Sequence, residues 1–156
     1  MEIERKFLVK ELPAHLETYP HRRLTQSYIR REPVIRLRKI EKEGETSYVL
    51  TVKGKGLTMR QEFELPLQQA EYERLFQKVE GRVLQKVRYL IPLENGLTAE
   101  LDCFEGELAG LTLVEVEFSD EESMNGFMPP AWFGEDVSGS RKYHNSVLSN
   151  GGNNGA

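Results

Sequence analysis

Glu2-Ile3-Glu4-Arg5-Lys6-Phe7-Leu8-Val9 opens the chain and decides how the rest of it folds. An extended strand sends alternate side chains to opposite faces, so Glu2, Glu4 and Lys6 share one face and Ile3, Phe7 and Val9 the other. The same alternation recurs near residues 22–31, 34–41, 46–53, 58–65, 82–91, 97–104 and 111–118. Short period-two runs separated by turn residues are the pattern of antiparallel strands. Glu43-Gly44, Gly54-Lys55-Gly56, Asn95-Gly96 and Glu105-Gly106 stand between them, and Asn-Gly after Pro92 suits a type I′ hairpin. Amphipathic spacing over Leu67 to Val79, following Pro66 and ended by Gly81, predicts a helix. Shorter helices are expected near 11–17 and 141–149.

A chain of 156 residues fits one domain, placed at 1–149, with a polar tail at 150–156 expected to be disordered. A net charge of −4 argues against wrapping nucleic acid by general positive charge, so any bound anion must be held locally. The single cysteine, Cys103, excludes an intramolecular disulfide and suits a reducing compartment. No apolar run approaches the roughly 20 residues that span a bilayer, and the acidic start is unlike a signal peptide. The expectation is a cytoplasmic protein without membrane or nucleic-acid partners, monomeric or homodimeric.

The charged faces carry same-sign pairs. Glu2 with Glu4, Glu62 with Glu64, Glu100 with Asp102 and Glu115 with Glu117 are acidic; Arg36 with Arg38 and Lys86 with Arg88 are basic. Lys53 lies on the fourth run, and Arg60 shares a face with Glu62. The ordinary reading of a charged stripe is a wet outer surface. Like charges on adjacent same-face positions repel, however, and a sequence selected for stability alone would intersperse the signs. A closed eight-stranded antiparallel barrel, mainly β with helices packed outside, puts one face of every strand into a common lumen. Unpaired charges there would be costly if dry. A wet lumen suits them, because carboxylates gather hard divalent cations while Arg and Lys clasp phosphate oxygens. The two signs together imply a metal-bound polyanion.

The Glu-x-Glu-x-Lys pattern of Glu2, Glu4 and Lys6 resembles the signature of the CYTH superfamily, the triphosphate tunnel metalloenzymes. Gln26-Ser27-Tyr28, Arg36-Leu37-Arg38, Thr51-Val52-Lys53-Gly54, Arg60-Gln61-Glu62-Phe63-Glu64, Lys86-Val87-Arg88-Tyr89, Glu100-Leu101-Asp102 and Glu115-Val116-Glu117-Phe118 follow in that family's order. Val137-Ser138 and Tyr143-His144-Asn145 complete the series over about residues 1–148. The resemblance implies metal-dependent hydrolysis or cyclisation of triphosphate compounds in a tunnel. By the same resemblance Glu2, Glu4, Glu115 and Glu117 are the metal ligands, for Mg²⁺ or Mn²⁺. Lys6, Arg36, Arg38, Lys53, Arg60, Lys86 and Arg88 bind phosphates, with Lys142 beside the terminal one. Glu62, Glu64, Glu100 and Asp102 complete the acidic lining, and Glu2, Glu4, Lys6 and Glu117 carry catalysis.

The expected substrate is inorganic triphosphate, cleaved to pyrophosphate and phosphate. An organic triphosphate is the alternative, with a nucleoside or thiamine triphosphatase or an adenylate cyclase as the corresponding activity. A non-catalytic polyphosphate-binding module and a purely structural barrel are further alternatives. The intact acidic pairs argue against the first and the segregation of sign against the second. His15, His21 and His144 lack metal-ligand spacing and read as surface or supporting groups. Lys53-Gly54-Lys55-Gly56 lacks the Lys-Ser/Thr ending of a phosphate loop and reads as a hairpin turn. Trp132 with Phe127, Met128 and Phe133 reads as a cover over the barrel's apolar outside, or as a dimer contact.

Overall fold

Residues 1–150 are described here from a computed structural model. Ten strands form: β1 (Glu2–Val9), β2 (His21–Arg31), β3 (Val34–Lys42), β4 (Glu45–Lys53), β5 (Met59–Arg60), β6 (Glu62–Leu67), β7 (Glu80–Pro92), β8 (Thr98–Phe104), β9 (Thr112–Glu117) and β10 (Phe133–Asp136). Helix α1 (Gln69–Phe76) separates β6 from β7, α2 (Glu121–Gly126) follows β9, and α3 (Asn145–Leu148) ends the described chain. Pairing is antiparallel throughout, in the order β10-β1-β9-β8-β7-β2-β3-β4-β6. The tight turns form as their residues require. Glu43 and Gly44 have φ of 49° and 81°, and Asn95 and Gly96 have 60° and 73°; these are the left-handed pairs of a type I′ turn.

The barrel is not the closed eight-stranded one expected from the sequence. Nine strands lie on a continuous path, and β6 does not pair with β1 to close it. Only the two-residue β5 bridges the seam, through Glu2 with Arg60 and Ile3 with Met59, assisted by the Glu4 N–H on Thr58 O at 2.9 Å. The reason lies in the edge of β1. Its C-terminal half is taken by β10, with Phe7 opposite Asp136 and Val9 opposite Phe133, so only the first residues remain for β5. The four-residue β10, inside a Pro-rich stretch, is too short to show alternation.

The helix expected over 67–79 begins later, because Pro66 and Leu67 belong to β6, opposite Val49 and Tyr48. A capping box between Gln68 and Glu71 then starts α1. Tyr72 stacks on Tyr48 with ring centroids 4.7 Å apart, which lays the helix over the outside of β4. The segment 11–17 yields only one 3₁₀ turn, Leu16–Thr18, and 141–149 divides into a 3₁₀ turn, Arg141–Tyr143, and α3. The tail expected to be disordered lies outside the described residues from position 151. Asn150 still closes the turn after α3, its N–H on Val147 O at 3.0 Å.

The apolar core lies mainly outside the barrel. Phe7, Leu101, Val114 and Val116 on the outer faces of β1, β8 and β9, with Phe118 just past the end of β9, are covered by Met124, Phe133, Phe127 and Trp132, so the Trp132 segment is the cover. The inner face is not charged throughout. On β7, β8 and β9 the rows that carry Lys86, Asp102 and Glu115 continue into Leu84, Phe104 and Leu113, which pack with Val137 and fill one end. Among the described residues no helix is long and apolar enough to cross a membrane.

Candidate active site

Two walls of opposite sign face each other across the lumen. One cavity of about 220 Å³ is lined by Glu2, Glu4, Lys6, Arg36, Arg38, Lys53, Arg60, Glu62, Glu64, Arg88, Glu100, Glu115 and Glu117. Carboxylates concentrate on β1, β6, β8 and β9, and cations on β3, β4 and β7. Register produces this clustering, since Glu4 stands opposite Glu117, and Glu115 opposite both Lys6 and Glu100.

On the acidic wall, oxygens of Glu2, Glu4 and Glu117 all lie within 4.8 Å of one another. Burial and the charges of Glu115 and Glu2 hold the Glu4 carboxyl well above the usual carboxylate range. Burial and the neighbouring Glu2 push Glu62 up to about 7, and burial with Glu100 raises Glu117. Burial acts in the same direction on Glu2, but Lys53, with Nζ 3.0 Å from Oε1, and a hydrogen bond with Glu62 together outweigh it and pull Glu2 below its ordinary value. Of these three crowded carboxylates only Glu2 has ion-pair partners among the described residues, Lys53 and Arg60, so Glu4 and Glu117 stand beside it without a cation of their own. That oxygen-only donor set fits a hard divalent cation.

On the basic wall, Arg36 Nη2 donates to Thr51 Oγ1 at 3.1 Å and lies 3.8 Å from Glu64 Oε2, and its buried Nε has no hydrogen-bond partner among the described residues. Arg38 donates to the neutral Gln26 Oε1 at 3.0 and 2.7 Å. Burial, with the charges of Arg36 and Arg88, pulls Arg38 down to about 9. Arg88 is already satisfied: it grips Asp102 with two bonds of 2.7 and 2.9 Å and reaches Glu115 at 3.3 Å. Arg38, without an ion pair among the described residues, therefore carries the cationic surplus.

Not every residue expected at the site reaches the cavity. Lys86 and Asp102 are 0 % and 1 % exposed and lie beneath the floor, paired at 2.7 Å. Burial opposes ionisation of Asp102, yet Arg88 and Lys86 hold it below its ordinary value. Lys142 is exposed outside the lining, its Nζ 5.4 Å from the Tyr143 ring centroid. Tyr28, Ser138, His144, Asn145 and Ser146 line the cavity without having been assigned to it from the sequence. Tyr28 occupies a lumen-facing position on β2, where its hydroxyl accepts from Gln26 Nε2 at 2.8 Å; an uncharged residue escapes a search for charge pairs. His144 is a tunnel residue and not a surface one. Burial, with the charges of Lys6 and Arg60, pulls its imidazole down to about 4.

No protein-family model matches this sequence. An inorganic triphosphatase of Nitrosomonas europaea is 40% identical over 149 residues, covering 95% of this chain and 96% of its own length. One from Acetivibrio thermocellus is 36% identical over 152 residues, covering 94% and 92%. The chain belongs to the inorganic triphosphatase family of triphosphate tunnel metalloenzymes. The crystal structure of the inorganic triphosphatase NE1496 superposes with a TM-score of 0.67 at 38% identity, over 96% of this chain and 94% of that one.

Within this inorganic triphosphatase family member, the shared fold accounts for the opposed walls. Alternation delivers one face of each strand to the lumen, and strand order groups β8, β9 and β1 on one side and β7, β2, β3 and β4 on the other. A ligand lying between the walls would meet carboxylates along one flank and guanidinium donors along the other. The flanks neutralise each other only in part: Lys53 reaches Glu2 and Glu62, Arg36 lies 3.8 Å from Glu64 and Arg88 reaches Glu100 and Glu115, while Arg38, Glu4 and Glu117 form no ion pair among the described residues.

Proposed function

We propose that the chain hydrolyses inorganic triphosphate to pyrophosphate and phosphate in this tunnel, with Mg²⁺ or Mn²⁺. The observation that carries the reading is the single cavity in which Arg38, held only by the neutral Gln26, faces with Arg36 the crowded Glu2, Glu4 and Glu117 carboxylates. Glu2, Glu4 and Glu117, with Glu115 beside them, would hold the cation. When bound, it supplies charge neutralisation to the phosphate oxygens as the loose transition state of phosphoryl transfer develops.

The residues of the chain position and screen. Arg36 and Arg38 present planar guanidinium donors to the non-bridging phosphate oxygens. Lys6, Lys53 and Arg88 extend that screen along the chain of phosphates, and Arg60 closes it at the seam. Glu62, Glu64 and Glu100 orient the attacking water. Its oxygen bonds to a terminal phosphorus as the bond to the bridging oxygen breaks, and pyrophosphate leaves. Buried Lys86 and Asp102 hold Arg88 in place and do not touch substrate. The lone Cys103 suits work in a reducing compartment such as the cytoplasm.

Phosphate release from tripolyphosphate, measured with Mg²⁺, Mn²⁺, Ca²⁺ and excess chelator, tests the reading. Release should require Mg²⁺ or Mn²⁺ and fall to background in Glu4→Gln and Arg38→Ala. Near-normal rates in both variants would sink it. A second reading rests on a neighbouring cavity of about 560 Å³, which shares Val34, Lys53, Leu57, Arg60, His144 and Ser146 with the tunnel lining. Pro33 and Val147 give it further apolar surface, room for the organic part of a nucleoside or thiamine triphosphate. Turnover of ATP or thiamine triphosphate comparable with that of tripolyphosphate would favour it.

A further inference from the structure

The C-terminal segment reaches the tunnel wall from outside the barrel, and two arginines far along the chain hold it there. Arg31, the last residue of β2, donates from Nε to Ser146 O (3.1 Å) and Ser149 Oγ (3.2 Å), and from Nη2 to Ser149 O (3.2 Å) and Glu80 O (2.9 Å). Arg82, near the start of β7, donates from Nε to Leu148 O (2.9 Å) and from its backbone N–H to Ser149 O (2.8 Å). The Ser146, Leu148 and Ser149 carbonyls are ones that the end of α3 leaves without backbone partners inside the helix. Gly81, at φ 75°, lies so close that a Cβ there would collide with Arg31 Nη2 and Ser149 O. Ser149 is fully buried in consequence.

The held segment in turn touches the site. His144, Asn145 and Ser146 line the cavity. Lys6 Nζ donates to Tyr143 O at 2.9 Å, and Lys86 Nζ to Asn145 Oδ1 at 2.9 Å. Arg82 is absent from the tunnel lining, and Arg31 lines only the neighbouring cavity.

We propose that Arg31 and Arg82 are positioning residues, a clamp that keeps residues 143–146 in the tunnel wall and thereby fixes the Lys6 and Lys86 ammonium groups before substrate arrives. The inference rests on the functional reading above, in which Lys6 meets a phosphate. Without the clamp the segment leaves the wall for part of the time, and the affinity for substrate falls in proportion to the competent fraction. Saturating substrate restores that fraction, so the loss is in KM and not in kcat. A residue that merely stabilised the fold would do the opposite, lowering kcat through loss of active protein at unchanged KM.

The test compares the full-length protein with Arg31→Ala, Arg82→Ala, Gly81→Ala and Arg31→Lys. Hydrogen exchange over residues 141–150 and steady-state hydrolysis of tripolyphosphate with Mg²⁺ are measured on each. Arg31→Ala should speed exchange in that segment at least tenfold and leave the barrel strands unchanged. Its KM should rise about tenfold, with kcat within threefold of the parent. Arg82→Ala should show a smaller change of the same kind because its backbone bond survives, and Arg31→Lys should recover part of both effects. Saturating tripolyphosphate should slow the exchange again. Unchanged exchange in Arg31→Ala overturns the clamp. So does faster exchange with unchanged KM, or a fall in kcat at constant KM. An inactive parent would overturn the functional reading instead, and the exchange measurement would still decide whether the clamp exists.

Discussion

Arg38 places its guanidinium on the amide oxygen of Gln26, through bonds of 3.0 and 2.7 Å, and forms no ion pair among the described residues. A half-buried cation held by a neutral oxygen is electrostatically incomplete. Burial and two neighbouring arginines already pull it down to about 9. An anionic ligand in the tunnel would complete it, as the proposed function requires.

Gln26→Glu supplies that anion permanently. The variant should fold with a melting temperature equal to or above the parent, while its KM for tripolyphosphate rises tenfold or more. Steady-state kinetics beside a thermal melt check both halves. An unchanged KM would mean that Arg38 does not meet substrate.

Cation binding should strengthen as pH rises through about 7. Glu62 titrates there because of burial and its contact with Glu2, and below that pH the shared proton competes with the cation. The melting shift produced by Mg²⁺ should therefore be larger at pH 8 than at pH 6. The linkage for the metal-free protein has the opposite sign. A carboxyl whose folded pKa is raised contributes stability below its unfolded value that is lost as pH climbs through 7. Glu62→Gln should flatten both dependences.

His144 carries a third pH effect. Its folded pKa of about 4 lies below the ordinary 6.5, chiefly through burial beside Lys6 and Arg60. For a base depressed in this way the unfolded chain takes up the proton first. The stability it contributes is present above 6.5 and lost as pH falls towards 4. Urea unfolding of the metal-free protein and of His144→Gln at pH 7.5 and 5 isolates the term: the parent should lose more stability on acidification than the variant.

Leu101→Ala removes a fully buried side chain from the outer core and should cost about 2–5 kcal/mol of stability. It faces away from the lumen, so the kcat of the folded protein should stay within twofold. A large fall in kcat with little change in the melt would place Leu101 in the site, against its face assignment.

Alternation along individual strands was enough to sort Glu2, Glu4 and Lys6 from Ile3, Phe7 and Val9, and the same for β3, β6, β8 and β9, because strand period is a local property of the backbone. Local turn chemistry likewise placed Glu43-Gly44 and Asn95-Gly96. The sequence therefore determined the antiparallel barrel and the charge of its inner face. It did not determine how far that charge extends, since Leu84, Phe104 and Leu113 continue the same rows and are sorted from Lys86, Asp102 and Glu115 only by their depth in the lumen. Nor did it determine closure, which depends on β10 competing with β5 for one edge of β1. The tertiary structure alone decided which charges are spent and which are free. Asp102 satisfies Lys86 and Arg88 while Arg38 is left with Gln26, because pairing depends on register between strands far apart in the chain. It also decided that His144 to Ser146 enter the tunnel wall, a position fixed by hydrogen bonds from Arg31 and Arg82, to which no local pattern in residues 143–149 refers.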